Sequence, residues 1–153
     1  METTEQSKPR HKTFTFKTSV SWLEARSGTL ASDGKPSLRV GNPPEFKGEG
    51  GVWSPEDLFV ASVETCHMAT FMTFAIKRDL PVISYKSHAN GVLEFVDGDF
   101  RFTRIVIFPT IVVANSAVEA EVYSLLREAQ LHCLVANSIA SIVEVNPTIM
   151  VQQ

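Results

Sequence analysis

The stretch SPEDLFVASVETCHMATFMTFAIK, Ser54 to Lys77, constrains the fold more than any other part of the chain. It reads as one helix: Ser54 is a good N-cap, Pro55 suits the first helical position, and Asp57 stands where a capping box places an acid. Its apolar residues fall on nearly every face, so the helix must be covered on every side. Glu56, Asp57 and Glu64 break the run and hydroxyl residues recur through it, which reads against a membrane span.

Around this helix the patterning is that of strands. TFTFKTSVSW, Thr13 to Trp22, alternates apolar and polar residues as a half-buried strand does. GTLASDGK then places a turn at Asp33-Gly34, and PSLRV, Pro36 to Val40, is a further strand ended by Gly41, Asn42, Pro43 and Pro44. VISYKSHANGVLEFV and RFTRIVIFPTIVV form a hairpin about Asp97, Gly98 and Asp99. A second helix is expected from Ser116 as N-cap through Cys133, a short third one over LVANSIA, and a closing strand over SIVEVNPTIMV. The order predicts an α+β fold in which a curved antiparallel sheet wraps the long helix.

At 153 residues the chain is long enough to bury a core of its own as one domain, residues 13–153, behind a polar tail over residues 1–12. A net charge of −3 gives no basic excess, so nucleic acid is not an expected partner. Lys8, Arg10, Lys12 and Lys17 read as charges of a solvated tail. The N-terminus lacks an apolar signal core, which makes the cytoplasm the expected location and no membrane a partner. In that reducing setting two cysteines are free thiols or a working redox pair.

Cys66 sits mid-helix, on a face it shares with Ser62, Val63, Ala69 and Thr70. Those small, hydroxylated neighbours leave room beside the sulfur. The residues alone leave two readings open: a small core hydrophobe, as buried free cysteines usually are, or a functional thiol. Cys133 stands where one helix gives way to the next, and a helix N-terminus favours thiolate. Each cysteine has a histidine beside it, His67 and His132, but consecutive helical residues point about 100° apart and do not converge on one metal ion. Neither metal nor cofactor is expected.

GEGGVWSPEDLFVASVETCHMATF, together with LHCLVANSI, resembles the OsmC/Ohr family of thiol-dependent hydroperoxide reductases. The resemblance runs from about Trp22 to Ile149. It implies an OsmC-like fold and a peroxidase that reduces organic hydroperoxides to alcohols in oxidative stress defence. It implies Cys66 as the peroxidatic cysteine, Cys133 as the resolving one, and Glu56 as the acid that holds an arginine against the reactive sulfur. Arg26 is the closest match to that arginine, with Arg39 and Lys47 in reserve. Leu134 departs from the many relatives that carry proline after the second cysteine. The competing reading is a non-catalytic OsmC-like protein that binds an apolar small molecule or senses redox state.

The implied chemistry needs an ionised sulfur. A free thiol is only about 3% ionised at pH 7, and burial lowers that further, so a cation is expected beside Cys66. Cys66 would become a sulfenic acid, Cys133 would condense with it, and an external dithiol would reduce the disulfide. An apolar pocket of residues such as Phe59, Met68 and Phe71 would favour organic hydroperoxides, while core packing is the more ordinary role for each of the three. Glu56 and Cys66 lie ten residues apart, roughly 15 Å along a helix, too far to share one arginine. If both serve one site, the acid comes from a second copy, and an intertwined homodimer is expected.

Overall fold

The computed structural model describes residues 12–153. The expected tail, with Lys8 and Arg10, lies outside the described residues except at Lys12. The chain divides into two compact units that meet between Ser54 and Pro55.

The N-terminal unit is a three-stranded antiparallel sheet in the order β1 (Ser19–Glu24), β2 (Ser27–Ala31), β3 (Leu38–Gly41). Ala25, at positive φ, turns β1 into β2, and Trp22 Nε1 donates to the Ala25 carbonyl at 3.1 Å. The Asp33-Gly34 turn stands where the sequence places it, with Gly34 at φ 72°. After β3 comes one 3-10 turn, Pro44–Phe46. Gly48 is obligatory there, because a Cβ would meet the Asn42 carbonyl oxygen at 1.6 Å.

The first strand is shorter than its pattern. Residues 13–18 form no ladder, and every residue of β1 is exposed. Phe14, Phe16 and Trp22 are 78%, 93% and 76% exposed. Alternation marks a strand with one face to bury, and among the described residues of this unit nothing covers that face.

The C-terminal unit begins with α1 (Pro55–Lys77), which starts directly after Ser54 as expected. A long hairpin follows, β4 (Val82–Val96) and β5 (Asp99–Val113), paired from Val82 opposite Val113 to Val96 opposite Asp99 with register shifts between Val82 and Ser84 and between Val92 and Leu93. Its turn residues Asp97 and Gly98 both have positive φ, as a tight hairpin turn requires. Next come α2 (Glu119–His132) and two short strands, β6 (Ile142–Val145) and β7 (Thr148–Val151).

Three details differ from the sequence reading. The cap ahead of α2 is Asn115, whose side chain accepts from Ala117 N at 3.2 Å, and Ser116 opens a 3-10 turn that leads into the helix. The third helix shrinks to one 3-10 turn, Ala136–Ser138. The closing strand is two strands, both parallel to β5, so this sheet is mixed rather than antiparallel. They reach β5 by a crossover through α2, and only such a connection delivers a parallel partner. β6 pairs residues 104–107 and β7 pairs residues 110–113, so the break at Asn146-Pro147 falls opposite Phe108-Pro109. Pro109, with no N–H to give a ladder, occupies that gap.

Both helices pack on this mixed sheet. Phe71 and Ala75 of α1 meet Ile111 and Val113 of β5 and Val122, Leu125, Leu126 and Ala129 of α2. Nearer the start of α1, Val63 packs with Ile105 and Ile107. By length and composition α1 could cross a membrane. Its stripe of Val63, His67, Phe71 and Ala75, each four residues from the last, is instead buried in this core. The opposite face, with Thr65, Met68, Ala69, Thr73 and Ile76, is exposed.

Candidate active site

Cys66 lies midway along α1 at the edge of the buried stripe and is partly exposed. Cys133 caps the C-terminal end of α2 in extended conformation, φ −70° and ψ 108°, and is 1% exposed. The packing of α2 against α1 brings the two thiols near enough that each shifts the ionisation of the other.

The segment after Cys133 turns back over that pair. Asn137 N donates to the Cys133 carbonyl at 3.0 Å, and Asn137 Nδ2 to the Leu131 carbonyl at 2.9 Å. Ser138 Oγ donates to the Leu134 carbonyl at 2.7 Å. These bonds engage the carbonyls of the turn, and the N–H groups of Leu134 and Val135 face the Cys66 sulfur. Thr70, one helical turn beyond Cys66, donates to the Cys66 carbonyl at 2.8 Å and lies within reach of its sulfur as well.

This surrounding ionises the two thiols unequally. Burial pushes Cys66 up, but the Val135 N–H, the Cys133 thiol, the Leu134 N–H and the Thr70 hydroxyl, in decreasing order, together hold it below the ordinary thiol range. Burial also pushes Cys133 up. The Ala136 N–H offsets this in part, and the adjacent Cys66 sulfur, by hydrogen bond and by charge, keeps Cys133 raised. The low thiol is therefore Cys66. The favoured thiolate at Cys133 expected from a helix start is absent, because Cys133 ends a helix instead of beginning one.

The main donors to Cys66 are main-chain amides and neutral side chains, with no guanidinium among them. Arg26 belongs to the N-terminal unit, where its Nη1 donates to the Lys47 carbonyl at 3.0 Å. Arg39 is paired with Glu24 and Glu49 at 3.1 and 2.9 Å. These five residues line one cavity of about 190 Å³. Glu56 stands in the first turn of α1, with Oε2 buried and without a hydrogen-bond partner among the described residues.

The three expected pocket residues have separate surroundings. Phe71 is wholly buried in the core, its ring 5.7 Å from that of Tyr85. Met68 is on the exposed face of α1. Phe59 stacks on Phe102 at 4.8 Å and lines an open groove of about 560 Å³ with Val96, Arg101, Ile139 and Ile142. The segment 134–142 thus supplies both the amides at the sulfur and part of that groove's wall.

Sequence reasoning missed the amide donors and the polar groups buried beneath the helix. A main-chain N–H carries no side-chain signature, so only the absence of proline at position 134 could have marked the first. His67 is 1% exposed. Burial pushes its imidazole down, the Leu126 carbonyl offsets this in part, and neither ring nitrogen completes a hydrogen bond among the described residues. Nearby, Ser87 Oγ donates to Glu64 on α1, and burial together with the Glu64 charge takes Tyr85 up to about 12.

A lowered thiol in contact with a raised one equips the site for nucleophilic attack by one sulfur and disulfide formation with the other. Known proteins resemble the chain in sequence and in fold. The Uncharacterized protein YmaD of Bacillus subtilis is 22% identical over 120 residues, covering 76% of this chain and 79% of its own. An OsmC-like protein of unknown function from Vibrio cholerae superposes with a TM-score of 0.82 at 23% identity, over 89% of this chain and all of the other. An organic hydroperoxide resistance protein from Legionella pneumophila superposes with a TM-score of 0.68 at 20% identity, over 92% and 99% of the two chains. Residues 48–148 match the family model described as OsmC-like protein, and the chain belongs to that family.

Proposed function

We propose that the protein is a thiol-dependent peroxidase that reduces organic hydroperoxides. The observation that carries this reading is the Cys66–Cys133 pair, neighbouring thiols of which one is lowered and the other raised. The Cys66 thiolate attacks the terminal oxygen of ROOH, the O–O bond breaks, and Cys66 becomes a sulfenic acid as RO⁻ leaves and takes up a proton. Cys133 condenses with the sulfenic acid, releasing water and forming a disulfide. An external dithiol reduces that disulfide, itself becoming oxidised. Two free thiols in contact suit a reducing compartment such as the cytoplasm.

The working unit in this reading is a homodimer. The uncovered apolar residues Phe14, Phe16, Val20 and Trp22 and the open face of α1 offer surface for a second copy. The buried Glu56 Oε2, without a hydrogen-bond partner among the described residues, suits a cationic side chain, and Arg26 is the first candidate to provide it across the dimer, with Arg39 and Lys47 in reserve.

The test is dithiol-dependent consumption of cumene or tert-butyl hydroperoxide by the purified protein, with Cys66→Ser as control. The proposal expects turnover that this substitution abolishes. Unchanged turnover in the variant refutes the catalytic role of Cys66, and no turnover with any of several dithiols favours the non-catalytic binding or sensing reading.

A further inference from the structure

Two proton demands arise at this site, and they are complementary. The departing alkoxide is far more basic than a thiolate and needs a proton as the O–O bond breaks. Cys133 carries a proton that it must lose before its sulfur can attack the sulfenic acid. It is 1% exposed, at the junction of α2 and the turn that covers the pair. It neighbours the sulfur on which the peroxide reacts, each thiol shifting the ionisation of the other.

We infer that Cys133 is the proton donor to the departing alkoxide as well as the resolving thiol. The inference rests on the peroxidase reading above. The steps balance: Cys66–S⁻ and ROOH give Cys66–SOH and RO⁻, and Cys133–SH and RO⁻ give Cys133–S⁻ and ROH. Cys133–S⁻ and Cys66–SOH then give the disulfide and hydroxide. The resolving thiolate is made by the very step that produces its target, so an anionic Cys133 does not compete with Cys66 for the proton-poor state beforehand. The raised position of Cys133 beside an ionised Cys66 agrees with this order.

The experiment compares wild type, Cys133→Ser and Cys133→Ala in a single turnover with tert-butyl hydroperoxide. Loss of alkylatable Cys66 is followed by quenched-flow mass spectrometry from pH 5 to 11, with folding of each variant checked by its thermal melt. Comparison at the plateau, where Cys66 is fully ionised, removes any effect of the substitutions on its thiolate fraction. A positioned donor contributes on the order of 100-fold. The alanine variant should therefore lose about that factor at the plateau, and the serine variant, which keeps a hydroxyl donor, should stay within a few fold of wild type. Wild type should also show an alkaline fall as Cys133 loses its proton, and both variants should lack it.

Other ionisable side chains on the surrounding elements include Glu64, His67 and Lys77 on α1, Tyr123, Glu128 and His132 on α2, and Tyr85, Lys86 and His88 on β4. An alkaline fall that persists in the alanine variant assigns it to one of these and overturns the inference. So does an alanine plateau within about twofold of wild type, or a serine variant as slow as the alanine one. A wild-type Cys66 that the hydroperoxide does not oxidise at any pH removes the peroxidase reading itself, and this inference with it.

Discussion

The Cys133 thiol neighbours the Cys66 sulfur although 67 positions of sequence separate them. One sits mid-way along a helix and the other at the end of the next, and the core between α1 and α2 sets their approach. The lowered sulfur is influenced by the N–H groups of a turn, and its raised neighbour is shut away from solvent.

The Leu134 N–H can be removed by Leu134→Pro. Cys133 already has the extended backbone that a residue before proline adopts, so the substitution fits the local geometry. Loss of one hydrogen bond to a charged acceptor is worth about 1.5–3 kcal/mol. Alkylation of Cys66 by iodoacetamide at pH 7 should slow by about tenfold or more. An unchanged rate would show that this amide does not hold the thiolate.

His67 should make the protein acid-sensitive. Its folded-state imidazole lies below the ordinary range, so the unfolded chain binds the extra proton first as pH falls. Stability from this group is complete above about pH 6.5, the unfolded value, and declines as pH falls toward the folded one. His67→Leu removes two buried ring nitrogens that complete no hydrogen bond among the described residues. It should raise stability by about 1–3 kcal/mol and flatten the loss below pH 6.5. Urea unfolding between pH 4 and 8 measures both; an equally steep acid loss in the variant would exclude His67 as its source.

Phe71 and Phe59 should separate stability from substrate preference. Phe71→Ala should cost about 3–5 kcal/mol, the usual range for a buried aromatic ring. Phe59→Ala opens the groove wall and should reduce the preference for cumene over tert-butyl hydroperoxide by about tenfold, with a smaller effect on stability. Denaturant melts and kcat/KM for the two peroxides give the comparison. A change of preference confined to Phe71→Ala would place the substrate elsewhere.

Sedimentation equilibrium should return the mass of two subunits. Placing a charge in the uncovered strand, as in the double variant Val20→Glu, Trp22→Glu, should return that of one. A single-subunit mass for wild type at working concentration would remove the composite site built on Glu56.

Local signals made much of this fold legible. Ser54-Pro55 places the start of α1, and Asp97-Gly98 places the hairpin turn, because each of those residue types suits a backbone state that few others do. The pairing of β6 and β7 was hidden, since short apolar strands carry no mark of direction and the crossover alone makes them parallel. LVANSIA reads as helix, yet Asn137 and Ser138 turn their hydrogen bonds back onto Leu131 and Leu134 and leave a single turn. At the site, the two thiols were visible as residue types. The groups that ionise one of them are main-chain amides, which every residue but proline carries, and so were not.

The account turns on Cys66 being the more acidic sulfur. Its titration, by thiolate absorbance near 240 nm in wild type and in Cys66→Ser, measures this directly. The account predicts that Cys66 ionises below free cysteine in the same buffer while Cys133 stays protonated well above it. A Cys66 that ionises no more readily than free cysteine, or a Cys133 that ionises first, would contradict it.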